Sequence, residues 1–304
     1  MEKGICDLKG KNYKIISKKV IVDGPDGIIR IDVEAPLVAK NTKAGQFIIT
    51  HVFETSERIP LTIADYDEKR GTITLIFQIV GKSTRELGKL NEGEYILDLL
   101  GPLGVPVEVK KYEKPVICIG GGIGIAPIYP KVKKLIEIGN YVITIIGART
   151  KGLLILEDEL RKISSELYIT TDDGSYSKKG FVTTVLREKL DELKDNIQEI
   201  IAVGPIPMML AVVKEVAGKK YNETYKPKED YKNSLIKTIV SLNPIMVDAT
   251  GMCGGCRVNV WNPDKQQYEP KFTCVNGPAF DGHLIDFETL IKRNIQYVNQ
   301  EKLT

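Results

Sequence analysis

The sequence lacks any apolar run approaching the roughly 20 residues of a membrane-spanning helix. Its longest, such as Pro115 to Ile119 and Tyr141 to Ile146, are a fraction of that, so no membrane span is expected. It also lacks a basic block or an arginine stripe. Lys+Arg number 43 against 40 Asp+Glu, a net charge of +3, and no surface of the kind that neutralises phosphates is implied. Nucleic acid is therefore not an expected partner. Residues Met1 to Asp7 have neither the apolar stretch of a signal peptide nor the arginines of a transit sequence, which points to a cytoplasmic protein. There is no internal repeat and no low-complexity tract. With 304 residues, 42% apolar and 27% charged, the composition is that of a globular chain of about two domains.

Cysteine is scarce and unevenly spread. Three of the five, Cys253, Cys256 and Cys274, crowd one stretch near the end of the chain. In a reducing compartment such a group holds metal more readily than disulfides. The spacing Asp248-x4-Cys253-x2-Cys256-x17-Cys274 is that of plant-type [2Fe–2S] loops, with Asp in the first place. Gly251, Gly254 and Gly255 would let the backbone curl around a cluster and aim N–H groups at its sulfides. The rival for the same donors is a structural zinc held by three Cys and one Asp or His, with His283 nearby. Cys118 reads as a small buried hydrophobe, His51 as a structural or edge histidine, and Cys6 has no assignable role.

Short β-rich runs alternate with turns over residues 12 to 110: Tyr13 to Ile16, Ile28 to Val33, Phe47 to Val52, Ile73 to Val80 and Tyr95 to Leu99. They predict an antiparallel barrel or sandwich, with one short helix at Ser83 to Leu90. From Pro115 the rhythm becomes strand then helix. Val116 to Ile119 leads into Ile125 to Ile138, Val142 to Ile146 into Leu154 to Ile163, Leu167 to Thr171 into Val182 to Leu193, and Glu199 to Val203 into Pro207 to Ala217. That alternation predicts a parallel sheet with helices on both faces. The expected organisation is α+β and multidomain: 1–110, 111–217, a polar linker over 218–242, and a cysteine-bearing segment with a terminal helix over 243–304.

Gly120-Gly121-Gly122-Ile123-Gly124-Ile125-Ala126-Pro127 joins a strand to a helix, where N–H groups and the helix dipole favour a pyrophosphate. It departs from G-x-G-x-x-G, and no acidic residue follows the second strand; the chain there reads Gly147-Ala148-Arg149-Thr150-Lys151. The choice between NAD and NADP therefore stays open. Asp172-Asp173-Gly174 and Gly204-Pro205 follow the third and fourth strands, so all three loops are expected at the carboxyl edge of the sheet. In the first domain, Arg58-Ile59-Pro60-Leu61-Thr62 and Gly81-Lys82-Ser83-Thr84 could serve a pyrophosphate and a ring nitrogen, or be no more than a solvated charge and a helix cap.

Taken in order, Gly45-Gln46-Phe47, Arg58 to Thr62, Gly81 to Thr84, Gly101-Pro102-Leu103-Gly104, Gly120 to Pro127, Gly204-Pro205-Ile206-Pro207-Met208-Met209 and the cysteine loop resemble the ferredoxin–NADP reductase superfamily. The cluster loop resembles its dihydroorotate dehydrogenase electron-transfer subunit branch. Val240 to Asp248 and Gly277 to His283 are most similar to the small subunits of NADH-dependent reduced ferredoxin:NADP oxidoreductases. The resemblance implies a six-stranded antiparallel FAD barrel, then an NAD(H) domain that does not exclude NADP(H), then a [2Fe–2S] loop. It places Arg58, Ile59, Pro60, Leu61, Thr62, Phe77, Gln78 and Ile79 along the flavin, with Thr62 as the catalytic residue. It places Gly81, Lys82, Ser83 and Thr84 at the flavin pyrophosphate. Gly120, Gly121, Gly122, Gly124, Ile125, Ala126, Pro127, Asp173, Gly204, Pro205 and Met208 would surround the dinucleotide, and Asp248, Cys253, Cys256 and Cys274 would ligate the cluster. It also implies a larger flavin and [4Fe–4S] partner related to glutamate synthase small chains, with ferredoxin reached through it; a dihydroorotate-oxidising partner is the alternative. Ala249, Asn276 and the long hairpin from Trp261 to Pro270 depart from the family pattern.

Overall fold

The computed structural model describes residues 13–301 except Tyr221, Ser234 and Leu235; Cys6 lies outside the described residues. Seven antiparallel strands come first: β1 (Tyr13–Val22), β2 (Ile28–Glu34), β3 (Phe47–His51), β4 (Arg58–Asp67), β5 (Thr72–Gln78), β6 (Tyr95–Ile96) and β7 (Asp98–Leu103), with helices α1 (Pro36–Asn41) and α2 (Lys82–Lys89) between them. Their order is β6-β1-β2-β5-β4-β3-β7. The two edge strands are consecutive in the chain, separated by Leu97 alone, whose N–H donates to the Val52 carbonyl at 3.2 Å. A sheet whose two edges are joined by one residue has to curl until they meet. The result is the nearly closed antiparallel barrel that was expected, with β6 and β7 as halves of one interrupted sixth strand. Ile15, Ile31, Ile48, Ile63, Ile73 and Leu75 belong to its core. Strand β4 is not among the expected runs, because Pro60, Asp65 and Asp67 mask its period.

The second sheet contains β8 (Val116–Gly121), β9 (Val142–Ala148), β10 (Glu166–Thr171), β11 (Lys178–Lys179), β12 (Glu199–Val203) and β13 (Lys237–Ser241). Its helices are α3 (Ile125–Glu137), α4 (Glu157–Ile163), α5 (Val182–Leu193) and α6 (Ile206–Val216), matching the four expected strand–helix pairs. Alternate strand residues serve opposite faces. Ile117, Ile119, Ile143 and Ile145 pack with α5 and α6 through Val185, Leu186, Val212 and Val213, while Val116, Cys118, Val142 and Ile146 pack with α3 through Ile128 and Val132. Cys118 is thus a core residue, and burial pushes its thiol up to about 12.

The chain continues through α7 (Pro227–Asp230), the hairpin β14 (Arg257–Asn262) and β15 (Gln267–Phe272), α8 (Thr273–Asn276), β16 (Ala279–Asp281) and α9 (Phe287–Glu301). The second sheet runs β11-β10-β9-β8-β12-β13-β16, parallel except for β16. So the stretch 218–242, expected as linker, supplies strand β13, and the cysteine-bearing segment supplies β16. Five residues are too few for a periodic signal, and pairing beside β12 is what buries Thr238 and Val240.

His283 ties this segment down. It is buried; its Nδ1 lies 3.1 Å from the Tyr225 hydroxyl, which itself donates to the His283 carbonyl at 3.0 Å, and its Nε2 lies 3.3 Å from the Ile236 carbonyl. Its ring nitrogens therefore face Tyr225 and Ile236 at the sheet edge, whereas the rival zinc reading counts His283 as a nearby donor. Burial, partly opposed by Asp281, holds the ring below its ordinary value of 6.5. The unfolded chain thus takes up a proton before the folded one does. Stability is expected to fall as pH drops below about 6.5, and His283→Gln should flatten that part of a pH series of urea midpoints.

A Cβ on Gly124 would stand 2.3 Å from the Val203 carbonyl oxygen and 2.7 Å from the Gly204 Cα, backbone atoms that cannot swing aside. Gly124→Ala is expected to destabilise the fold by about 1–3 kcal/mol, read as a lower urea midpoint at unchanged slope.

Candidate functional site

Asp248, Cys253 and Cys256 lie on one irregular loop before the β14–β15 hairpin, and Cys274 comes back to it from α8, directly after that hairpin. The Asp248 carboxylate accepts the backbone N–H of Thr250 at 2.9 Å and of Cys253 at 2.7 Å. Those bonds, Thr250 first, hold its carboxyl below the ordinary range. Cys256 and Cys274 are buried together with their sulfurs 3.2 Å apart. Burial, then the neighbouring Cys256, pushes the Cys274 thiol up to about 12. Cys253 is exposed at the rim. Backbone N–H groups face the sulfurs: Gly255 toward Cys253 at 3.4 Å and Cys274 toward Cys256 at 3.4 Å. Gly251 and Gly254 have φ of +85° and +65°, the left-handed turns the loop needs, and Ala249 takes φ +57° despite its Cβ. Among the described residues no three such donors converge tightly enough to surround a single ion. Three thiols and a carboxylate spread around a loop, with amides aimed at sulfur, form a donor set that fits a two-iron cluster. Of the departures from the family pattern, Asn276 closes a local turn, where its side-chain oxygen accepts the Phe272 N–H at 2.8 Å.

In the barrel, β4 and β5 pair from Asp67↔Thr72 to Ile63↔Leu75, and the ladder ends there. Beyond it Arg58 to Thr62 pair with β3 alone, and Phe77 and Gln78 with β2 alone. The facing edges of these two segments carry no ladder to each other, and half-buried Ile59, Leu61 and Ile79 lie along them. Such edges offer backbone donors and acceptors beside apolar surface, which suits a planar heteroaromatic ring. Arg58 forms an ion pair with Asp98 at 3.2 Å. The Thr84 hydroxyl accepts the N–H groups of Val80 and Gly81, both at 3.0 Å, and so shapes the start of α2. It is engaged within its own turn, whereas buried Ser83 is next to it in the first turn of the helix.

At the carboxyl edge of the parallel sheet, the β8 and β12 loops meet where strand order reverses, the usual ligand position of such folds. A Cβ on Gly121 would fall 2.2 Å from the Met208 sulfur, and one on Gly204 2.8 Å from the Met208 Cε, so Met208 seals both turns. Gly122, at φ +55°, faces open space. Gly120 to Pro127 and Gly204 to Met208 are therefore side by side. Asp173 is not among them: it follows β10, two strands away, and its carboxylate, held low by Ser175, accepts the Ser175 N–H at 2.9 Å. Lys151 lies over the Tyr176 ring, 4.7 Å from its centre.

One small core joins the cysteine loop to the barrel. Phe47 and Ile49 of β3 pack with Met246, Ala249, Cys256 and Cys274, flanked by Leu103 and Phe272. In register on β4, Phe47 opposes Thr62 and Ile49 opposes Pro60. The thiols thus sit one strand from the segment expected along a flavin. A backbone bond from Val105 N–H to the Gly277 carbonyl, 2.7 Å, fastens the same seam. No sequence pattern announced these contacts, since strand residues facing out of a barrel read as ordinary apolar surface.

Residues 243–286 match the iron–sulfur cluster binding domain of dihydroorotate dehydrogenase B, and residues 118–214 match the oxidoreductase NAD-binding domain. The chain is 43% identical over 272 residues to the dihydroorotate dehydrogenase B (NAD(+)) electron transfer subunit homolog of Thermotoga maritima, across 90% of this chain and 88% of the relative. It is 28% identical over 278 residues to the electron transfer subunit of that enzyme from Bacillus cereus strain Q1, across 90% and 97%. Among solved structures, a chain from the NADH-dependent reduced ferredoxin–NADP oxidoreductase, studied for flavin-based electron bifurcation, aligns with a TM-score of 0.81 at 40% identity, across 96% of this chain and 95% of that one. The cofactors that go with these domains are FAD, NAD and a [2Fe–2S] cluster. No helix among the described residues is long and apolar enough to cross a membrane. The chain belongs to the ferredoxin–NADP reductase superfamily, in its family of dihydroorotate dehydrogenase B electron transfer subunits, and is an oxidoreductase subunit.

Proposed function

We propose that the chain is the small subunit of a cytoplasmic NADH-dependent reduced ferredoxin:NADP oxidoreductase. It would exchange hydride with NAD(H) and single electrons, in either direction, with a larger flavin and [4Fe–4S] subunit related to glutamate synthase small chains, and through that partner with ferredoxin. The observation that carries the reading is the shared core of Phe47, Ile49, Cys256 and Cys274, which sets the thiols one strand from Pro60 and Thr62. The 40% identical structure supports this complex; the dihydroorotate-oxidising complex is the alternative, since the 43% identical relative is named an electron transfer subunit homolog of dihydroorotate dehydrogenase B.

Bound FAD supplies conversion between a two-electron hydride and single electrons. The chain's residues supply placement. Arg58 to Thr62 and Phe77 to Ile79 flank the ring, with the Thr62 hydroxyl as hydrogen-bond partner of a ring nitrogen. Gly81 to Thr84 take the flavin pyrophosphate at the start of α2. Gly120 to Pro127 with Gly204, Pro205 and Met208 bind the dinucleotide, and Asp173, on the loop after β10, is the outlying member of the set. Asp248, Cys253, Cys256 and Cys274 ligate the cluster. Exposed Val247, Met252 and Val275 form an apolar rim on the loop, which suits a protein partner approaching the cluster.

Visible spectra with iron, sulfide and zinc analysis of anaerobically purified chain test the assignment. Flavin bands that bleach with NADH, with about two irons and two sulfides per chain, are expected. A colourless protein with one zinc would overturn it. Asp248→Cys should retain the cluster and shift its midpoint potential, because thiolate replaces a harder oxygen donor; a redox titration superposing on that of the wild type contradicts a ligand role for Asp248. Co-expression with each class of larger subunit, followed by assay for ferredoxin-linked NADP reduction or for orotate formation, decides the partner.

A further inference from the structure

Helix α9 reaches back to the cysteine loop through one side chain. The Arg293 guanidinium donates to the Gly255 carbonyl at 3.1 Å with one terminal nitrogen and to the Arg257 carbonyl with the other. The two acceptors flank Cys256. The carbonyl of Cys256 itself accepts the Thr273 N–H at 3.1 Å, and the Arg257 N–H donates to the Gly254 carbonyl at 3.3 Å. Cys256 is thus held on one side by the residue before Cys274 and on the other by a forked cation from a distant helix.

The helix is itself anchored to the same hairpin. Asp286 caps its start by accepting the Thr289 N–H at 3.1 Å, donates its own N–H to the Asn259 carbonyl at 3.0 Å, and accepts the Asn259 side-chain amide at 3.4 Å. Ile285 bridges to Val260, and Leu290 is buried in the core shared with α6. The position of Arg293 therefore follows from rigid packing at the beginning of α9. A fork with two donors matches two carbonyls two residues apart, which a lysine's single ammonium cannot do in the same geometry.

We propose that Arg293 is a positioning residue for the iron–sulfur centre: it fixes the backbone on both sides of Cys256 and brings a permanent positive charge beside the cluster, raising its reduction potential. The proposal rests on Cys256 being a cluster ligand, as read above. Reduction adds negative charge to a cluster, so a nearby cation favours the reduced form, and hydrogen bonds and net charge around the sulfurs are the means by which a protein sets the potential.

The test uses the flavin- and cluster-loaded chain and its Arg293→Lys, Arg293→Gln and Arg293→Ala variants. Iron content and the visible spectrum establish whether each is loaded, thermal melting establishes folding, and spectroelectrochemical titration gives the cluster potential. Arg293→Gln and Arg293→Ala are expected to titrate at lower potential than the wild type, with Arg293→Lys closer to it. All three should lose iron to a chelator about 10-fold faster or more, as is usual when a support of a metal ligand is removed. If Arg293→Ala does not fold, Arg293→Gln, which keeps a polar side chain with one amide donor group, carries the comparison. Variants that melt earlier but keep the wild-type potential and iron-release rate would show a purely structural residue and overturn the proposal. A wild-type chain without a cluster would instead overturn the ligand assignment, and the proposal with it.

Discussion

Cys256 and Cys274 share one apolar pocket with Phe47 and Ile49, and the arrangement of the C-terminal third follows from that contact. The segment from Leu242 to Cys256 has no helix or strand, so its shape comes from what it is pressed against. The outer face of β3 supplies that surface. Because β3 pairs with β4, the pressed face is one strand from the segment where β4 and β5 part. On the proposed reading, a short electron path is then a by-product of barrel register and needs no element of its own. The other supports act on the same loop from different directions: Val105 through Gly277, Thr273 through Cys256, and Arg293 through Gly255 and Arg257.

The nucleotide end is organised by a different constraint, the absence of side chains. Gly121, Gly124 and Gly204 bring two strand-to-helix turns so close that any Cβ would meet a sulfur or a main-chain atom. Met208 fills what space is left. The barrel and the parallel sheet are joined by the opposite face of α3, where Ile28, Ala64 and Ile76 enter its core and Lys133 pairs with Asp65 at 2.8 Å. That salt bridge is half exposed and is worth little by itself. The apolar contact beneath it does most of the joining.

How much of this was legible in the sequence depends on the range of the interaction concerned. The four strand–helix units and the barrel were readable because period two and period 3.6 are local signals. The loop spacing of Asp248, Cys253, Cys256 and Cys274 was readable because ligand spacing is local too. Strand β4 was hidden by Pro60 and two acids, and β13 by its brevity inside a lysine-rich stretch. His283 looked like a metal neighbour because it is near the cysteines in sequence, yet Tyr225 and Ile236 take both its ring nitrogens. Arg293 was one charged residue on the polar side of an amphipathic helix, and nothing in its flanking sequence distinguishes it from a solvated cation. Each of these last cases depends on a partner some 40 to 60 positions away or on pairing at a sheet edge, and no window of sequence contains it.

Strand β16 adds antiparallel to β13 and closes that side of the parallel sheet. Since β16 follows the cysteine loop, the nucleotide-binding sheet is unfinished until nearly the whole chain has been made. The iron–sulfur segment is therefore not a detachable module: cutting the chain before residue 243 would leave β13 as a bare edge with unpaired amides, a template for strand addition by other molecules. The cysteine-bearing segment and the parallel sheet are in this sense one piece of structure, joined at the β13–β16 pairing.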